Sequence, residues 1–115
     1  MRKALLIIAV IAITAPHDSY ALSLADYRLF KDVEPKLIAA HLESVGTGFL
    51  WANATLNGDG QTMLYCAPPR FMMNGQNYID LLDDYIQRDV DLDSPDTPIE
   101  MLLLNALRNE FPCEK

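Results

Sequence analysis

Asp89, Asp91, Asp93 and Glu100 stand at positions 1, 3, 5 and 12 of a helix-flanked calcium loop. In such a loop the first three offer carboxylate oxygens and the last closes the shell with two. The intervening residues argue the other way. Position 6 is Ser94, where the sharp turn takes glycine, and Pro95 and Pro98 stiffen a segment that has to wrap an ion. No second loop of this kind exists in the sequence. Glu100 also has a competing role in capping a helix. The expectation is a solvated acidic loop with no metal and no cofactor. Asp89, Asp91, Asp93 and Asp96 become candidates for contact with a protein partner.

Other reactive residue types are sparse. Beyond the N-terminal segment there is one histidine, His41, near the edge of a helical apolar stripe. A lone helical histidine is more often a surface or cap residue than a catalyst. No glycine-rich phosphate loop follows a strand. Paired carboxylates work as acid and base only where a cleft separates their pKa values. Asp80, Asp83, Asp84 and Gln87 lie instead on a helix face that reads as solvent. No catalytic set is expected. Asn53-Ala54-Thr55 matches a glycosylation sequon but falls inside a helix, and the Phe71-Met72-Met73 cluster reads either as a partner surface or as the lip of a small core.

These residues sit in a chain of 115, enough for one domain. Residues 1–21 have the grammar of a signal peptide: Arg2-Lys3, an apolar run from Ala4 to Ala15, Pro16, then Ser19-Tyr20-Ala21 before the expected cut. The run is shorter than the roughly 20 apolar residues of a membrane span. Residue 22 is Leu, so no lipid-bearing cysteine follows the cut. Without Arg2, Lys3 and Asp18 the balance is 7 basic against 15 acidic residues, a net charge of −8. Phosphate contacts need a basic surface, so nucleic acid is not an expected partner. The same charge argues against docking on anionic lipid. In an exported protein the two cysteines, Cys66 and Cys113, are expected to pair. The closed loop is worth about 4 kcal/mol in the chain-entropy model.

The elements that position these groups are helical. Ser23 with Asp26 resembles a helix start, and Leu24, Tyr27 and Phe30 suggest a short helix ending near Val33. Pro35 opens a second helix to about Leu56, with Ile38, Leu42, Val45, Phe49, Ala52 and Leu56 as one stripe. Gly46 and Gly48 inside it mark either a close crossing or a kink. Asn57-Gly58-Asp59-Gly60 stops it. A third helix starts from Asn74 and carries Tyr78, Leu81, Leu82, Tyr85 and Ile86 on one side. A fourth is expected to use Thr97 as cap, Pro98 in its first turn and Glu100 to complete a capping box, with Ile99, Leu102, Leu103, Ala106 and Leu107 inward. The fold class is all-α: a small bundle of three or four helices, stapled by Cys66 and Cys113, over residues 22–115.

Several motifs recur in a known order: Gly46-x-Gly48-Phe49-x-Trp51-Ala52-Asn53-x-x-Leu56, Leu64-Tyr65-Cys66-x-Pro68-Pro69, Tyr78-x-x-x-Leu82-x-x-Tyr85, and Ala106-Leu107-x-x-x-Phe111-Pro112-Cys113. Together, over roughly residues 34–115, they resemble the Rap–Tai family of immunity proteins from type VI secretion systems. The resemblance implies a small all-helical periplasmic protein with an internal disulfide, often a homodimer, that binds and blocks a peptidoglycan amidase toxin. The alternative is an envelope protein of the same fold with a structural or small-ligand role and no toxin partner.

Overall fold

The computed structural model describes residues 21–89 and 94–114. The signal-peptide reading of residues 1–21 and the two loop aspartates Asp91 and Asp93 therefore lie essentially outside the described residues. Among those described there are four helices: α1 (Leu24–Val33), α2 (Pro35–Gly58), α3 (Gly75–Arg88) and α4 (Ile99–Glu110). None of them is long and apolar enough to cross a membrane.

Each boundary has a local cause. The Ser23 hydroxyl accepts from the Asp26 N–H at 3.1 Å and starts α1. Glu34 leaves helical geometry (φ −130°, ψ 59°) because the following Pro35 disfavours it there. Pro35 then opens α2, a helix of 24 residues. That helix ends where Gly60 takes a φ of +69°. There the Gly60 N–H donates to Asn57 O and the Gln61 N–H to Leu56 O, which satisfies the last carbonyls. At α3 the capping box is reciprocal: Asn77 N–H donates to the Asn74 side chain at 2.9 Å and Asn74 N–H to the Asn77 side chain at 3.0 Å.

The start of α4 differs from the sequence expectation. Pro98, not Thr97, is the cap residue, and no side chain caps the helix. The reason is a backbone pairing that the sequence does not announce. Leu24 N–H donates to Thr97 O (2.8 Å), Ala25 N–H to Pro95 O (3.0 Å) and Ile99 N–H to Leu22 O (2.9 Å). Residues 22–25 thus run beside 95–99, with Ser23 and Pro98 bridged antiparallel. The backbone of 22–25 does the work a capping box would do, and the Glu100 carboxylate is turned elsewhere.

The core is assembled from all four helices. Leu24 and Tyr27 come from α1, Ile38 and Leu42 from α2, Tyr78, Ile79 and Leu82 from α3, and Ile99, Leu102, Leu103, Ala106 and Leu107 from α4; Tyr65 enters from the α2–α3 connection. The stripe expected on α2 is right at its N-terminal half and shifts at the other. Ile38 and Leu42 are buried, Val45, Phe49 and Leu56 are half-buried, and Ala52 is exposed. The positions facing inward there are Gly46 and Asn53. A straight 3.6-residue helix drifts away from a 3.5-residue repeat by about 20° every seven residues. That drift carries Ala52 out and Asn53 in. On α3, Ile79 is buried where the expected face had omitted it.

Gly46 is a close crossing and not a kink. A methyl group there would overlap the Tyr78 ring, whereas one at Gly48 would meet nothing. The two positions should therefore respond with opposite signs. Gly48→Ala should raise stability by about 0.5–1 kcal/mol through helix propensity. Gly46→Ala should lower it by about 1–3 kcal/mol through overpacking. Urea denaturation of both variants reads the difference directly, and equal shifts would remove the crossing from the account.

Candidate functional site

Cys66 and Cys113 form a disulfide with Cα atoms 4.9 Å apart. The segments that carry them are tied by more than the sulfurs. Cys66 N–H donates to Phe111 O at 2.8 Å. Phe71 and Phe111 meet edge to face with ring centroids 4.6 Å apart. The Asn53 side chain fastens the same connection to α2: its amide N–H donates to Tyr65 O (2.9 Å) and its Oδ1 accepts from Leu64 N–H (2.7 Å). Asn53 is buried, so the sequon match has a structural meaning instead: the amide is consumed in holding Leu64 and Tyr65. A polar residue in phase with an apolar helix stripe was the available signal.

The Phe71–Met73 cluster divides. Phe71 meets Phe111 edge to face, Met73 packs on the core margin, and Met72 stands 91% exposed. Arg70 beside it adopts a left-handed backbone (φ 62°), a conformation that costs a non-glycine residue about 1–2 kcal/mol. It turns the chain after Pro68-Pro69 toward α3.

The acidic segment begins and ends on fixed backbone. Asp89 closes α3: its N–H donates to Tyr85 O at 3.1 Å, and its half-buried carboxylate hydrogen-bonds the Tyr85 hydroxyl. Asp96 is exposed in the turn before α4, where Thr97 N–H donates to Ser94 O. Asp91 and Asp93 lie outside the described residues. Among the described residues no group of three or more His, Cys, Asp or Glu side chains is arranged to hold a metal ion.

Glu100 was expected to complete a capping box at α4, and it does not. Its Oε1 accepts from His41 Nε2–H at 2.7 Å and from the Leu22 N–H at 3.2 Å. Its Oε2 is buried without a partner. His41 is thus neither a free surface group nor a cap. It joins the middle of the bundle to the α4 start.

Asp83 corrects a second reading. It was placed on a solvent face, but it accepts from the Tyr27 hydroxyl at 2.7 Å and from Lys31 Nζ at 3.1 Å. Burial, then the Asp83 hydrogen bond and charge, push the Tyr27 phenol far above the ordinary tyrosine range. Asp84 does face outward and pairs with Arg88 at 2.6 Å along the helix. Two further buried phenols are raised: Tyr65 by burial and then by Tyr78, Tyr78 by burial and then by the Glu43 charge.

Compared with family models, with curated proteins and with solved structures, the chain finds no match.

Proposed function

We propose that this chain is a periplasmic immunity protein that binds a peptidoglycan amidase toxin of a type VI secretion system and occludes its cleft. The observation that carries the reading is the segment from Asp89 to Asp96. It holds four aspartates and is fastened at one end to the last turn of α3 and at the other to the pairing before α4. An acidic segment whose two ends are held by backbone bonds beside packed helices is suited to meeting a groove without reordering the body behind it. The disulfide fits an oxidising compartment. Net negative charge accelerates encounter with a basic enzyme surface. The motif resemblance over residues 34–115 supplies the class of toxin. Inhibition in this scheme is steric, and the chain catalyses nothing.

Where a peptidoglycan amidase is encoded beside this protein, its periplasmic expression should lyse cells, and co-expression of this chain should prevent lysis. Replacing Asp91 and Asp93 together with Lys should weaken toxin binding at least several-fold and leave the melting temperature nearly unchanged. Full inhibition by that double variant would move the contact to the Phe71–Met73 edge. A second reading, a small-ligand role in the envelope, draws on one feature: a groove of about 370 Å³ lined by Leu22, Phe30, Leu37, Ile38 and His41. Failure of every neighbouring amidase to bind would favour it.

A further inference from the structure

The Leu22 nitrogen is held in an unusual place. Leu22 O accepts from Ile99 N–H at 2.9 Å and the Leu24 and Ala25 N–H groups donate to Thr97 O and Pro95 O. This frame aims the Leu22 N–H at Glu100 Oε1, 3.2 Å away. The same carboxylate receives His41 on Oε1, and its Oε2 is buried and unfilled. A buried carboxylate oxygen without a donor carries an uncompensated desolvation cost. The amide proton and the imidazole proton both go to Oε1, which leaves Oε2 without a donor. The residue before Leu22, Ala21, is exposed.

We propose that Glu100 and His41 form a receptor for the α-ammonium group created when the chain is cut between Ala21 and Leu22. The proposal rests on the export reading of the N-terminal segment and goes beyond any toxin contact. Hydrolysis of the Ala21–Leu22 peptide bond consumes one water. The hydroxyl goes to the Ala21 carbonyl carbon, which leaves as a carboxylate after losing a proton to solvent. The Leu22 nitrogen gains two protons and becomes an ammonium. A neutral donor with one proton is thereby replaced, in a position already fixed by backbone bonds, by a cation with three. The added charge faces the Glu100 carboxylate, and the added protons supply donors where Oε2 lacks one. Maturation thus completes the α1–α4 junction. A charge-assisted contact of this kind is roughly twice as strong as a neutral one.

Among the described residues, the titratable groups hydrogen-bonded at this junction are Glu100 on α4 and His41 on α2; Asp26 in the first turn of α1 and Asp96 in the turn before α4 are exposed. A free α-amine titrates at about 7.7–8.0. The carboxylate raises that value in the folded state. The stabilisation is therefore complete below about pH 7.7 and is lost as pH rises through the folded value.

The test uses three proteins with the same folded region: one whose first residue is Leu22, that protein acetylated at its α-amine, and one beginning at Ala21. At pH 6.5 the Leu22 protein should melt about 4–8 °C above the other two, and the difference should vanish by pH 10–11. Its α-amine, titrated by pH-dependent reaction with acetic anhydride, should show a pKa at least about one unit above the free value. Glu100→Gln should remove both the shift and the pH dependence. His41→Gln should keep the pH dependence, which separates the amine from the imidazole. Equal melting temperatures with an unshifted amine would overturn the proposal. N-terminal sequencing of exported protein should begin at Leu22, and a different first residue would overturn it for the natural chain.

Discussion

Replacing Cys113 with Ser should cost about 2–5 kcal/mol, a large share of what a domain this small possesses. The bond joins residues 47 apart in sequence. Without it the unfolded chain regains the freedom of a long loop, worth about 4 kcal/mol in the chain-entropy model. The native contacts around it partly persist, because the Cys66–Phe111 backbone bond, the Phe71–Phe111 ring contact and the Asn53 clamp do not need sulfur. The variant should therefore keep its helical spectrum while its guanidinium midpoint falls. Reduction of the parent protein should reproduce the drop. A change below about 1 kcal/mol would mean that these three contacts, not the bond, hold the loop.

Raising the pH above about 10 should unfold the protein steeply. Tyr27, Tyr65 and Tyr78 are 1%, 2% and 5% exposed, and each phenol is raised by its surroundings, burial being the largest cause. A raised acid pKa means that the folded state keeps a proton the unfolded state has released. Stability from this source is complete below the unfolded value, near 10, and falls as pH climbs from there toward the folded values. Each suppressed ionisation removes at most about 1.4 kcal/mol per pH unit, and only between the unfolded and the folded value, so the three phenols add to a decline steeper than any one of them gives. Denaturant midpoints measured from pH 9 to 11.5 should show the decline, and tyrosinate absorbance should rise with unfolding and not before it. Tyr27→Phe should flatten the slope, although it removes the bond to Asp83. Early titration of all the tyrosines in folded protein would sink the argument.

Much of the architecture was legible because its causes are local. Ser23, Pro35, the Asn57–Gly60 turn and Asn74 mark helix ends by side-chain chemistry that acts within a few residues, and the structure places the boundaries there. The Cys66–Cys113 pairing followed from counting. What failed has non-local causes. The α4 start was misread because the donors and acceptors that replace its cap come from residues 22–25, 70 or more positions away. Glu100 and His41 are 59 residues apart, and Asp83 and Tyr27 are 56 apart. No spacing rule reaches that far. The far end of the α2 stripe failed for a geometric reason, since a repeat of 4 and 3 drifts off a straight helix over its 24 residues.

The disulfide also divides the molecule mechanically. It closes a ring containing α3 and α4 and leaves α1 and α2 outside it. A force applied at Leu24 and Glu114 can draw out α1 and α2, but it passes across the Cys66–Cys113 bridge and never loads the chain between them. About 160 Å of contour is hidden in this way, at roughly 3.5 Å per residue. Under tension the α1–α2 hairpin peels from a ring that stays closed. The surfaces this uncovers are the inner faces of α3 and α4, and the ring keeps those two helices next to one another, ready for α2 to return when the load is released.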